Sequence, residues 1–404
     1  MKKKAERNRK LFPWRQIVVL LLLSVAILFL LRDHGDMNHP SEPSWIIRER
    51  GLINGFKEGL IDEDGDIVNC EASAIVYDGT NLIMASDKPI PSDSQNKRSS
   101  VFYVEYSNFR SQGVKYYTTA PFVEAIKYED FTITPDGRYV IVTTAFDRVH
   151  YSGSSEWDHY NTMLIWAVGK PDTVTLVCPS TKDGVTSSVG LREKISSALV
   201  TQEFPEGAPY FKIEGLAAIP GNRLLLGVRE LGKSYKEFDY AMKIISVSYN
   251  ITNGKLLVSD DFRLAYEYDP SERKAELGNF TVALSSIEYD RYHDRLYLLT
   301  SYENESDGKV TDEDIGAFLW VLPIDRLDTG KAPDLVLKQS DSSPLRFAHK
   351  GEGVAVINKE RIFIIHDDDR VLGRTNIENP ETQFSRQHNQ AAYTIVDLVD
   401  SNDG

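Results

Sequence analysis

The chain has 404 residues, 41% hydrophobic and 26% charged, with 20 Tyr and 17 Phe; this is the make-up of a folded, strand-rich protein and excludes a disordered one. Its formal net charge is −14, but residues 1–16 hold seven Lys or Arg against one Glu, which leaves −20 on the remainder. A body that acidic lacks the basic face that phosphate contacts require, so no nucleic-acid partner is expected.

The basic tail, residues 1–16, is followed by Ile17 to Leu31, IVVLLLLSVAILFLL. Fifteen apolar or near-apolar residues fall between a signal-peptide core and the ~20 of a full span. No small-x-small cleavage site follows Leu31, and no Cys is present for lipid attachment. The segment therefore reads as an uncleaved signal-anchor, one transmembrane helix with Leu11, Phe12 and Trp14 at its interface. The positive-inside rule keeps the basic end in the cytoplasm and places the body outside, in the periplasm or the extracellular space. Residues 32–43 form a polar, Pro-containing linker, and residues 44–404 are the body.

Along the body, short apolar runs alternate with Gly, Pro, Asn and Asp turns. Glu71 opens EASAIVYDGTNLIMASDK, followed by VFYVEY and VKYY. Glu129 opens EDFTITPDGRYVIVTTAFDR, followed by MLIWAV and VTLV. After a short helical candidate at Gly190 to Val200, Glu214 opens EGLAAIPGNRLLLGVRE, followed by AMKIISVSY and KLLVSDDF. Ser285 opens the fourth unit, without the acid, and AFLWVL and LVLK follow. Glu352 opens EGVAVINKERIFIIHDDDR, and AAYTIVDLV ends the body. The five openings are 58, 85, 71 and 67 residues apart. Recurring units of about four strands are the signature of propeller blades. The expected fold is therefore an all-β propeller of five four-stranded blades, with a sixth as the alternative. The last unit lacks a fourth strand, and Trp45 to Arg48 can supply it, closing the ring and removing an exposed edge.

In a propeller, the start of each innermost strand and the end of the second strand meet at one face of the central channel. That places Glu71, Glu129, Glu214, Ser285 and Glu352 together. They face the exit segments Ser86-Asp87-Lys88, Asp147-Arg148, Arg229-Glu230, Tyr302-Glu303 and His366 to Arg370. Four converging carboxylates need counter-charges. Either Lys88, Arg148, Arg229 and Arg370 pair with them, or they hold a hard cation such as Ca²⁺, which favours oxygen ligands. On the second reading Glu71, Glu129, Glu214 and Glu352 are metal ligands and calcium is the cofactor. His366 and Asp367, beside two further Asp, are the candidates for handling protons, with a loop histidine as the plainer reading. The loop His150 to Thr162, with Trp157, Asp158 and His159, is a candidate binding flap. Signatures of serine hydrolases, zinc proteases and P-loop enzymes are absent.

The openings EGLAAIPGNRLLLG and EGVAVINKERIFIIHDDD resemble those of the phytase-like and esterase-like bacterial β-propellers. That resemblance implies calcium held at the channel mouth by Glu214 and Glu352 and, by register, Glu71 and Glu129. No cluster of Lys and Arg suited to several phosphates accompanies them, a departure from that pattern. The expectation is a membrane-tethered monomer that binds a small molecule or protein on its acidic channel face; the alternative is a calcium-dependent hydrolase of phosphoesters or related esters.

Overall fold

The computed structural model describes residues 44–93, 97–303, 315–338, 341–368, 371–375 and 383–399. The expected signal-anchor at 17–31 lies outside the described residues, and so does Arg370. Among the described residues no helix is long and apolar enough to cross a membrane.

The body is an all-β propeller of five blades. Blade 1 runs outward from the axis as Ala72–Tyr77, Asn81–Ser86, Val101–Glu105 and Lys115–Tyr116. Blade 2 is Tyr128–Ile133, Tyr139–Thr144, Met163–Ala167 and Lys170–Leu176. In blade 3, Tyr210–Ile219, Arg223–Ser234 and Glu237–Thr252 are followed by an outer edge split into Lys255–Val258 and Arg263–Glu267. Blade 4 is Ala283–Asp290, Arg295–Glu303 and Ile315–Pro323, with its edge split into Asp334–Leu335 and Arg346–Phe347. Blade 5 is Gly351–Asn358, Arg361–His366 and Gln390–Val399, and its outer strand is Ser44–Asn54 from the other end of the body.

That last pairing is the closure expected from Trp45 to Arg48, extended over eleven residues. Trp45 stands edge-on to Tyr297 of blade 4, with ring centroids 5.5 Å apart, and Arg295 lies over its ring. The register runs Gly351 to His366, His366 to Ala392 and Gln390 to Asn54. Asn54 therefore ends at the face where the inner strands begin, and Ser44 starts at the opposite face.

Five hydrophobic clusters hold the ring, one in each wedge between neighbouring blades. Trp320 and Ile244 belong to the wedge between blades 3 and 4, and Trp166 and Ile83 to that between blades 1 and 2. Each fully buried Val, Leu, Ile or Phe contributes about 1.5–3 kcal/mol, so the wedges dominate stability. The first two strands of each blade are covered on both faces by adjacent blades, which is why LLLGV and IFII in the second strands are continuous apolar runs and not alternating ones.

No sixth blade forms among the described residues. Residues 179–210 carry the small hairpin Ser180–Lys182 with Val185–Ser187 and the helix Leu191–Ser197, close to the helical candidate in the sequence. Cys70 lies in the wedge between blades 1 and 5, Cys178 beside that between blades 2 and 3, and both are free thiols.

Candidate functional site: an acidic cup on the propeller axis

Each inner strand bulges by one residue near its start. The bulged residues are Ser73, Glu129, Glu214, Ser285 and Glu352, each left without a partner in the register of its neighbouring strand. A bulge re-aims a side chain, and here it happens at the same level in all five blades. Glu71, expected at this level, instead stands two residues earlier. Its equivalents are Lys127, Lys212, Ala283 and Lys350, so three blades carry Lys-x-Glu at the channel mouth.

The glycines after two of these glutamates have a steric cause. A Cβ on Gly215 would lie 2.7 Å from Ile287, and one on Gly353 would lie 2.9 Å from the backbone of Ile75. The inner strands approach too closely there for any side chain.

Below the bulges the channel is plugged by Asp130. Its buried carboxylate accepts from the backbone N–H of Phe131 at 2.9 Å, Leu216 at 2.8 Å and Ile287 at 3.1 Å, and from Ser286 Oγ at 3.2 Å. Ser286 Oγ also accepts from the N–H of Val354 at 3.3 Å. One side chain thus ties blades 2, 3 and 4 together, with blade 5 joined through Ser286. Burial lifts the proton affinity of Asp130 well above the carboxylate range, against the backbone donors that lower it.

Above the plug is a solvent-open cup of about 100 Å³, lined by twelve residues. Seven carboxylates (Asp87, Glu129, Glu214, Glu230, Glu303, Glu352, Asp367) face three cations (Lys212, Arg229, Lys350), with Ser73 and Tyr240 completing the wall. Tyr240 and Glu230 come from a projecting part of blade 3, where Glu230–Ser234 pairs with Glu237–Tyr240.

The charges interleave across blades. Lys212 Nζ lies 3.5 Å from Glu129 Oε1 and forms a short contact with Glu214 Oε1. Arg229 Nη1 is 3.3 Å from Glu214 Oε2, and it donates to Ser285 Oγ at 2.8 Å and Ser301 Oγ at 2.9 Å. Lys350 Nζ is 3.3 Å from both Glu303 and Glu352. Lys127 joins Asp147 at 2.8 Å and approaches Glu129 at 3.9 Å. Ser73 Oγ donates to the carbonyl of Tyr128 at 2.5 Å, a further link between blades 1 and 2.

These surroundings pull the glutamates apart. Burial pushes Glu352 up to about 7, with repulsion from Glu214 adding to it and Lys350 opposing it. Burial also raises Glu129 well above the usual range, only partly offset by Lys212. Burial alone would raise Glu214 too, but Arg229 and Lys212 outweigh it and its proton affinity is lowered. Two buried carboxylate oxygens, Glu129 Oε1 and Glu214 Oε2, have no hydrogen bond but are held in ion pairs, with Lys212 at 3.5 Å and Arg229 at 3.3 Å.

Glu129, Glu214, Glu352 and Asp367 therefore come together in the cup, as the sequence suggested. Glu71 does not line it. It pairs with Lys88 at 3.3 Å beside the mouth, and burial and Asp87 push it up to about 7. His366 is also outside the cup. Its Nε2 is 2.8 Å from Thr394 Oγ1, and its ring packs against Phe347 and His349, placing it inside blade 5. Of the expected counter-charges, Arg229 and Lys88 do meet glutamates, whereas Arg148 pairs with its neighbour Asp147. The sequence reading missed Lys127, Lys212 and Lys350, although their i, i+2 spacing to glutamate was a readable signal. His150 packs on Trp157 in its own loop and does not line the cup.

Among the described residues no three His, Cys, Asp or Glu side chains converge closely enough to hold a metal ion. The place between Glu129 and Glu214 that a cation would take is filled by the Lys212 ammonium.

No protein-family model matches the chain, and no curated protein matches it either. Several solved structures align over most of it at low identity. One is a member of the DUF4221 family from Bacteroides vulgatus, at 10% identity and a TM-score of 0.35, covering 90% of this chain and 100% of that one. Another is an aldose sugar dehydrogenase from Streptomyces coelicolor in its PQQ-bound form, at 11% identity and 0.34, covering 88% and 99%. A third is Pseudomonas fluorescens PhoX in complex with vanadate, at 10% identity and 0.34, covering 88% and 75%.

Proposed function

We propose that the protein is a binding propeller, held on the outer side of the cytoplasmic membrane by its N-terminal segment, that takes a small polar ligand into the axial cup. The observation that carries this reading is the imbalance of the cup. An ion-pair lattice serving only to fasten the blades would be neutralised within itself. Here seven carboxylates face three cations, or five once Lys127 beside Glu129 and Lys88 beside Asp87 are counted. The cup opens to solvent, and all five blades contribute to its wall.

A hydrolase of phosphoesters or related esters is the second reading, and one observation favours it. Glu214 and Glu352 share the cup with proton affinities displaced in opposite directions, the arrangement an acid–base pair needs. Asp367 is at hand, but His366 is not. Calcium would fit this second reading only if Lys212 or Lys350 moved off its carboxylates.

The two readings separate in one experiment on the full chain in detergent micelles. Chromogenic phosphoesters and carboxylesters are offered with calcium and with chelator, beside a melting screen of charged solutes. Binding predicts solute-dependent melting without turnover. Turnover abolished by Glu352→Gln would replace the binding reading with the hydrolytic one.

A further inference from the structure

We propose that the protein carries a second binding site, outside the cup, for a small amphiphilic carboxylate. It is a pocket on the cup-side rim of blade 1, where Lys57 and Lys97 hold the carboxylate and Phe56, Val114 and Tyr116 receive the apolar body. This site is independent of the reading of the cup.

The pocket follows from the way the ring closes. The outer strand of blade 5 ends at Asn54, and the chain then crosses to blade 1, whose inner strand starts at Ala72. On the way it passes the outer strand of blade 1, Lys115–Tyr116, which is only two residues long. Between the crossing chain, that short strand and Lys97-Arg98 lies a concavity of about 660 Å³. Small-molecule sites span about 300–1,000 Å³.

The walls are fixed by bonds of their own. The N–H of Gly55 donates to the carbonyl of Asn389 at 2.8 Å, Asn389 Nδ2 donates to the carbonyl of Phe56 at 2.9 Å, and Tyr116 Oη donates to the carbonyl of Gly55 at 2.7 Å. A Cβ on Gly55 would lie 2.6 Å from Cys70 Sγ, so the chain is pressed onto the wedge between blades 1 and 5. Phe56 is buried in that wedge, and Val114 and Tyr116 pack against it half-buried. The apolar part of the pocket is therefore formed before any ligand arrives.

Its charge is the reverse of the cup's. Three cations and no carboxylate line it, in a chain whose formal net charge is −14. Arg98 is a fixed post: its side chain is 9% exposed, and its guanidinium donates to the carbonyl of Pro91 at 2.6 Å and to Asp93 Oδ2 at 2.9 Å. Lys57 and Lys97 are exposed, and neither pairs with a carboxylate among the described residues. Asn54 Oδ1 accepts from Gln390 Nε2 at 3.0 Å, which leaves the Asn54 NH₂ as a further donor for the pocket.

Two unspent ammonium groups beside an apolar wall select an anion with an apolar body. A cation would meet three positive charges. Free phosphate would leave Phe56, Val114 and Tyr116 uncovered, and as a dianion it is repelled by the acidic chain about twice as strongly as a carboxylate.

The test is calorimetric titration of the full chain in micelles, against empty micelles, with phenylpropionate, phenylpropanol and inorganic phosphate at constant ionic strength. Phenylpropionate is expected to saturate at one site, and the other two to show no saturable binding. Lys57→Gln with Lys97→Gln should weaken phenylpropionate about tenfold or more. The melt of the free protein should stay at the wild-type value, because neither lysine has a carboxylate partner to lose. Gly113→Trp fills the pocket from its edge, where an added Cβ meets nothing within 4 Å, and should abolish binding while the fold stands. Lys236→Gln, at an exposed lysine of the blade 3 hairpin, should change nothing.

Equal affinity for phenylpropionate in wild type and in both pocket variants overturns the proposal, since the carboxylate then sits elsewhere. Equal affinity for phenylpropanol and phenylpropionate overturns it as well, because the pocket then reads no charge. Phosphate binding that the lysine substitutions abolish, without phenylpropionate binding, makes the amphiphilic class wrong. Binding by none of the three leaves the pocket without a ligand of this kind and overturns it.

Discussion

Arg229 of blade 3 donates to Ser285 of blade 4 at 2.8 Å, and this contact explains why blade 4 carries no acid at the ring. Ser285 and Ser301 form the berth for a guanidinium whose charge is spent on Glu214, 3.3 Å away. A glutamate at 285 would compete with Glu214 for the same cation. The gap in the repeat is thus a position filled by an arginine of the neighbouring blade.

Removing Arg229 should be costly. Arg229→Met leaves Glu214 buried beside an already acidic ring, and breaking one side of a buried ion pair costs about 3–5 kcal/mol. The double substitution Arg229→Met with Glu214→Leu should recover most of that loss, because no buried charge is then left alone. Equilibrium urea unfolding of both variants gives the comparison; equal destabilisation would mean the pair is not coupled.

Asp130 should be the most sensitive single position on the axis. Asp130→Ala strands the N–H groups of Phe131, Leu216 and Ile287, each worth about 1–3 kcal/mol when buried and unmet. Asp130→Asn keeps an acceptor and should cost clearly less. Thermal melting of the two variants, with the alanine form melting far lower, is the expected result.

Ring closure depends on Trp45. Its indole fills the wedge between blades 4 and 5 against Tyr297 and beneath Arg295. Trp45→Ala should cost about 3–5 kcal/mol as a large-to-small core change. Protease susceptibility should appear first at the strand Ser44–Asn54 and its partner Gln390–Val399. Cleavage that begins in blade 2 would place the weak point elsewhere.

Stability should fall as pH rises through neutrality. Glu352 and Glu71 are held near 7 in the folded protein, above the ordinary glutamate value. The native state then binds more protons than the unfolded chain between about 4.5 and 7, and the linkage relation makes stability decline with pH across that window. Around Glu352, Glu214 raises this affinity further, and Lys350, Arg229 and Lys212 lower it. Glu214 acts in the opposite sense: its stabilisation is present above the ordinary glutamate value and lost as pH falls below it. Melting from pH 4 to 8 should show a maximum near the acidic end, and Glu352→Gln should flatten the decline.

The architecture was legible because blade interiors are covered on both faces, which writes each inner hairpin as two apolar runs around a polar turn. Closure was legible from a missing strand in the last unit and a spare one at Trp45. The ring level was legible in blades 2, 3 and 5, where glutamate occupies the bulge. Blade 1 misled the reading because its turn is shorter. Tyr77 pairs with Leu82 across four residues, whereas Ile133 pairs with Val140 across six. Aligning whole hairpins therefore shifted Glu71 into the place of Ser73. The lysines went unread because i, i+2 places them on the same side of the strand as the glutamates, and a repeat of acid alone suggested a metal. His366 drew attention through its acidic neighbours, yet strand alternation turns it into blade 5, toward Thr394.

The most direct test of the central claim is thermal melting of the full chain in micelles with a panel of small charged solutes, for wild type and for Glu129→Gln with Glu352→Gln, at matched ionic strength. A ligand that binds only the folded state stabilises it by about 2.7 kcal/mol at a hundredfold excess over its dissociation constant. The account predicts a clear rise in wild type and none in the double variant. An equal shift in both, or no shift in either, would contradict it and leave the carboxylates as ion pairs that fasten the blades.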